Sequence, residues 1–98
     1  MYQVIWSDVA TTAYEQVWNY VFQHWSIDTV FELDQQVQDL LEKLSIHHRI
    51  GSSLAEYPGL RKCVINTHNS LIYRIDETTE TIRIIAFIDN RMNHSFFN

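Results

Sequence analysis

Three apolar runs near the end of the chain constrain its fold most. Leu60 to Ile65 reads LRKCVI, Leu71 to Asp76 reads LIYRID, and Thr81 to Phe87 reads TIRIIAF. The breaks between them, Thr67-His68-Asn69-Ser70 and Glu77-Thr78-Thr79-Glu80, are short and polar. Runs of strand length divided by such turns predict an antiparallel meander, with strands over 60–67, 70–77 and 81–88. A three-stranded ribbon cannot stand alone, so the rest of the chain must cover one of its faces.

The N-terminal half has the means to do so. Tyr2–Trp6 is rich in β-formers and reads as a strand. Ser7 is a good helix N-cap, and Asp8 suits the positive end of the helix that follows. Ala10, Ala13, Tyr14, Val17, Val21 and Trp25 recur at three and four residues and mark one helical face, read as core packing. Ser26 caps a second helix, whose apolar face is Val30, Leu33, Val37, Leu40, Leu41 and Leu44. With almost no loop between them, the helices form an antiparallel hairpin. Ser45 to Pro58 is irregular, with turn signals at Gly51 and Pro58-Gly59, and reads as a surface loop. His47 and His48 are adjacent, which is the wrong spacing to bring two imidazoles to one metal ion.

The order is therefore β-α-α-β-β-β. It predicts an α+β fold: an antiparallel twisted sheet with a helical hairpin packed on one face. Residues 1–98 suffice for one domain with one core. The longest apolar runs, such as Ile84 to Ile88, are too short to span a membrane. The first residues lack the basic flank and long apolar stretch of a signal peptide. Cys63 is the only cysteine, which fits a reducing, cytoplasmic setting.

Charge points to where function should lie. The net charge is −5, unlike a protein that binds nucleic acid by bulk electrostatics. The acidic surplus sits in residues 1–45, where Lys43 is the only Lys or Arg. Arg49, Arg61, Lys62, Arg74, Arg83 and Arg91 all follow, so any anion-binding surface is local and C-terminal. In the last strand, Ile82, Ile84, Ala86 and Ile88 are expected to face the helices. Arg83, Ile85, Phe87 and Asp89 are expected to face outward, and apolar groups among arginines there read as a partner-binding surface.

Several of these pieces, taken in order, match a known pattern. A strand ending in Trp6-Ser7, a helical hairpin, then Pro58-Gly59-Leu60-Arg61-Lys62, Ser70-Leu71-Ile72-Tyr73-Arg74-Ile75, Ile84-Ile85-Ala86-Phe87 and Asp89-Asn90-Arg91 resembles the RelE/ParE superfamily. These are toxins of bacterial type II toxin–antitoxin modules, of the plasmid-stabilisation type. The likeness runs over nearly the whole chain. It implies a cytoplasmic toxin that inhibits growth, held in check by a cognate antitoxin that covers it. No cofactor and no metal are implied.

The superfamily divides by target. ParE-like members resemble inhibitors of DNA gyrase, which act by binding. RelE-like members resemble ribosome-dependent mRNA endoribonucleases, whose chemistry needs a base for the 2′-hydroxyl, cations around the phosphate and an acid for the leaving oxygen. Matched to that set, Arg61 and Arg91 fill two cationic places and His94 is the one tail residue able to move a proton. Cys63 and Ser70 stand where further bases are often found, and Phe96 and Phe97 cannot donate a proton. The set is incomplete, so whether the chain is an enzyme stays open. Lys62, Arg74, Arg83, Phe87 and Asn90 are the expected target- or partner-binding residues. The first expectation is a toxin that acts by binding, in the manner of a gyrase inhibitor. The alternatives are a ribosome-dependent endonuclease and a degenerate, non-toxic interaction module. Expected partners are the antitoxin, and gyrase or ribosome and mRNA, with no membrane. A homodimer or a hetero-oligomer with the antitoxin fits either.

Overall fold

The computed structural model describes residues 1–92. The chain opens with strand β1 (Gln3–Trp6), followed by helices α1 (Asp8–His24) and α2 (Ile27–Ile46). A two-residue strand β2 (Ser52–Ser53) precedes the meander β3 (Leu60–Val64), β4 (Asn69–Asp76) and β5 (Thr81–Asp89). Both helices begin where the serines place them. The Ser7 hydroxyl accepts the Ala10 N–H at 3.0 Å, and the Ser26 hydroxyl accepts the Thr29 N–H at 3.2 Å.

The strands form one sheet in the order β1-β5-β4-β3-β2. The meander is antiparallel throughout, whereas β1 runs parallel to β5 at the edge. The sheet is therefore mixed rather than wholly antiparallel. The hairpin returns the chain across one face before the meander starts, which leaves β5 free to take β1 on its outer side. The second difference is β2, which pairs Ser52 with Lys62 and Ser53 with Arg61 in what sequence alone marks as loop.

The core lies between hairpin and sheet. Ala10, Val17 and Val21 of α1 and Val30, Leu33, Val37 and Leu44 of α2 pack on Cys63, Leu71, Tyr73, Ile82, Ile84 and Phe87. Alternation along β5 breaks at one point. Ile72 pairs with Ala86 but Tyr73 pairs with Ile84, so Ile85 is the extra residue of a β-bulge. The bulge reverses the parity of everything after it. Ile82 and Ile84 face the helices as expected, but beyond Ile85 it is Phe87 that faces them and Ala86 that does not. Phe87 is 1% exposed, with its ring 4.6 Å from Tyr14 and 6.4 Å from Trp6. The assignment of Phe87 to an outward binding surface is thus corrected: it is a core residue.

Ser7 explains why the bulge is tolerated. Its N–H donates to the Ile84 carbonyl at 3.0 Å and its hydroxyl donates to the Ile85 carbonyl at 3.2 Å. The same hydroxyl caps α1, so one side chain ties helix start and bulge together. Trp25 departs from the helical stripe in the other direction: it is the C-cap of α1 and stands 52% exposed.

Candidate functional site

Strand parity sorts the cationic residues into two groups. In β3, Arg61 and Cys63 alternate with Lys62, and Cys63 belongs to the core. Lys62 therefore points to the open face of the sheet and Arg61 to the helix side. The register places Lys62 opposite Ile72, and Arg74 opposite both Leu60 and Arg83. Directly opposed residues have Cα atoms about 4.5–5.5 Å apart, and diagonal neighbours stand about 7–8 Å apart. Lys62, Arg74 and Arg83 thus share the face away from the helices, with Arg74 on the strand between the other two, Leu60 beside them, and Ile72 and Ala86 buried beneath. Lys62 and Arg74 are exposed and Arg83 is half-buried.

Arg61 has a different task. Its Nε donates to the Gly51 carbonyl at 3.1 Å, Nη1 to the Ser53 hydroxyl at 3.0 Å and Nη2 to the Arg49 carbonyl at 3.2 Å. Tyr73, its cross-strand partner, continues the clamp. The Tyr73 hydroxyl donates to the His48 carbonyl at 2.7 Å and accepts the Gly51 N–H at 3.0 Å. Burial raises the Tyr73 phenol above its ordinary pKa, against the opposing pull of Gly51 and Arg61, so it stays protonated and keeps donating. Gly51 fits because a Cβ there would sit 2.7 Å from the Lys62 carbonyl oxygen and 2.8 Å from the Tyr73 ring. Arg61 and Tyr73 together fold the 47–53 segment onto the sheet and so create β2.

Arg91 is also held inside the molecule. Its Nε lies 3.0 Å from Asp89 Oδ1 and its Nη2 lies 2.6 Å from Oδ2, a bidentate pair, and its backbone N–H adds a third bond to Oδ1 at 2.8 Å. The Asn69 side-chain amide donates to Asp89 Oδ2 at 2.9 Å. Burial alone would raise the Asp89 carboxyl. The bonds from Arg91 and Asn69 outweigh it and hold the group below the usual carboxylate range. The guanidinium carbon of Arg91 lies 4.6 Å from the Trp25 ring centroid and 5.9 Å from that of Tyr20, so the charge is capped by aromatic faces. The Asp89-Asn90-Arg91 motif therefore pins the end of β5 to the end of α1.

The structure does not bring Arg61 and Arg91 together. Arg61 stands opposite Tyr73 and Asp89 opposite Asn69, four residues apart on β4. At about 3.3 Å per residue that is about 13 Å along the strand, with Arg91 further on. Asn90 is exposed, and its N–H donates to the His68 carbonyl at 2.8 Å, closing the turn before β4. It lies at the Arg91 end, away from Lys62, Arg74 and Arg83. His94 lies outside the described residues. Arg49 is the residue that sequence reasoning passed over. It sits in the presumed loop, pairs with Glu77, and lines a cleft of about 500 Å³ with Arg61 and Arg74.

Comparison with known proteins agrees with this architecture. A family model described as the ParE toxin of the type II toxin–antitoxin system parDE matches residues 4–94. The chain belongs to the ParE toxin family. Among curated proteins, none matches the sequence. Solved structures share the fold at low identity. The chromosomal ParDE system of P. aeruginosa superposes with a TM-score of 0.74 at 14% identity, over 91% of this chain and 96% of that one. The RelBE2 toxin–antitoxin complex of Mycobacterium tuberculosis gives 0.62 at 18%, over 90% and 96%. A YoeB/ParE toxin of Agrobacterium tumefaciens gives 0.63 at 14%, over 89% and 96%. In this ParE-family chain, two of the three residues matched to a nuclease set, Arg61 and Arg91, are bound up in holding the fold. Apart from Lys43 on α2, the cations left accessible among the described residues are on the open face and in the adjoining cleft. Among the described residues, no helix is long and apolar enough to cross a membrane.

Proposed function

We propose that this ParE-family toxin stops growth by binding an essential target, of the gyrase type, and is neutralised by a cognate antitoxin. The observation that carries the reading is the internal engagement of Arg61 and Arg91 at separate ends of the sheet. A nuclease needs its cations convergent on one phosphate, and these two diverge. The open face offers Lys62, Arg74 and Arg83 beside the half-buried Leu60 and the exposed Val64, a mixture of cationic and apolar groups suited to docking on a protein. Asp76, a carboxylate at the end of that face, accepts N–H bonds from Thr79 and Thr78, which hold its pKa down and make it a poor base. The antitoxin partner is supported by the family and by the toxin–antitoxin complexes that share the fold.

One observation favours a second reading, a ribosome-dependent endoribonuclease. Lys62, Arg74 and Arg83 lie on one face of three neighbouring strands, where a phosphate chain could meet them in turn, and the ribosome can supply affinity that an acidic protein lacks. The deciding experiment is induction of the toxin without antitoxin, followed by the order in which macromolecular syntheses stop. Double-strand breaks and an SOS response support target binding of the gyrase type. An immediate halt in translation with cut messages overturns it in favour of cleavage. Normal growth overturns both and leaves a non-toxic interaction module.

A further inference from the structure

At the end of the sheet furthest from Arg91, Arg49, Arg61 and Arg74 line one cleft with Ser53, Leu60, Ile75, Asp76 and Glu77. We propose that this cleft binds an acidic peptide segment, with Arg49 and Arg74 contacting its carboxylates and Leu60 and Ile75 receiving its apolar side chains.

The chain has seven Lys and Arg and a net charge of −5, yet three of the seven line this cleft and Arg83 stands directly opposite Arg74. Like charges in opposed positions weaken a strand pair. An anion seated beside them relieves that repulsion. The three guanidinium groups differ in readiness. Arg61 is fixed by three hydrogen bonds, which leave two of its five N–H groups uncommitted. Arg49 is paired with Glu77, but the two side chains are 66% and 63% exposed, and such a pair is weak enough to exchange for another carboxylate. Arg74 is exposed, and its side chain makes no hydrogen bond or ion pair among the described residues. Asp76 makes no ion pair with it among the described residues, and its Oδ1 caps the turn at Thr78 and Thr79.

Charge balance selects peptide over nucleic acid. Three arginines against Asp76 and Glu77 leave a formal +1 in the cleft. That suits one or two carboxylates. A nucleic-acid strand carries a charge about every 3.4 Å and would be repelled by the acidic remainder of the protein. The antitoxin of the proposed function is the natural source of such a segment. Only the identity of the source rests on that reading; recognition of carboxylates rests on the cleft.

The test is fluorescence anisotropy on the purified full chain with a labelled peptide of alternating Glu and Leu. A peptide of alternating Lys and Leu and a labelled oligo-uridine serve as comparisons. The acidic peptide is expected to bind saturably, more weakly as salt rises, and at least tenfold more weakly to the Arg49→Gln/Arg74→Gln double variant. Both side chains are exposed, so the variant should keep its melting temperature, and Lys43→Gln, on α2 outside the cleft, should bind as the native chain does. The proposal is overturned by absence of saturable binding, or by equal loss in Lys43→Gln. It is also overturned if oligo-uridine binds more tightly than the peptide and the double variant abolishes that binding. The readout is binding alone, so failure here leaves growth arrest by the toxin untouched, and a non-toxic chain leaves this result untouched.

Discussion

Asp89 and Arg91 grip each other through two parallel bonds, 3.0 and 2.6 Å long, with the carboxylate side chain fully buried and the guanidinium 18% exposed. The pair is a structural fastener between the end of β5 and the hairpin. Removing the cation strands a buried carboxylate, the expensive way to break such a pair. Arg91→Ala is expected to lower stability by about 2–3 kcal/mol, somewhat below the usual loss for a fully buried pair because Arg91 keeps some solvent contact. Urea denaturation measures it. Arg91→Lys should recover only part, since an ammonium cannot make the bidentate contact or stack as flatly on Trp25.

The same pair sets an acid limit. The folded-state pKa of Asp89 is held below its ordinary value, so between the two values the unfolded chain binds the extra proton. The stabilisation is complete above about pH 4, the ordinary carboxylate range, and is lost as pH falls through the lower folded value. Stability measured from pH 5 down to 2 should therefore fall less steeply in Asp89→Asn than in the native chain. The variant should also be the less stable of the two at pH 7.

At the other end of the sheet the clamp is neutral in part. Tyr73→Phe leaves the Gly51 N–H and the His48 carbonyl without their shared partner and is expected to cost about 1–3 kcal/mol. Gly51→Ala drives a methyl group into the Lys62 carbonyl and should release the segment from the sheet. In both variants hydrogen exchange should speed up at Ser52 and Ser53 before the β4 and β5 amides respond.

Ser7 joins two features that lie far apart in sequence. Ser7→Ala removes the N-cap of α1 and the donor to the bulged Ile85 carbonyl, with an expected loss of about 1–2 kcal/mol. Ser7→Thr keeps both groups and should restore most of the stability.

Ser7 also marks what sequence could and could not reveal. Helix starts are local, written in a hydroxyl and the residues just after it, so Ser7 and Ser26 are legible on their own. The same holds for the meander, whose turns are short. The bulge at Ile85 is not local. The hydroxyl that bonds its carbonyl is 78 positions away, and the text Ile84-Ile85-Ala86-Phe87 reads equally well as unbroken alternation. That is why the sequence reading puts Phe87 outside while the fold puts it inside. Edge strand β2 was illegible for the same reason, since two serines become a strand only when Arg61 and Tyr73 fold them down. Arg61 and Arg91 look like free cations in the sequence because their partners are backbone carbonyls, a buried acid and aromatic rings, which only the fold brings near. Arg83, by contrast, does lie on the face away from the helices, where the alternation of β5 puts it.

Growth arrest after induction of variants without antitoxin tests the central claim most directly, with each variant first shown to be folded. Lys62→Ala/Arg74→Ala/Arg83→Ala is expected to abolish arrest, because it strips the open face of its cations, while His94→Ala should arrest growth as the native toxin does. The opposite pattern, full toxicity in the triple variant and none in His94→Ala, would contradict target binding through the open face and place the activity in imidazole chemistry.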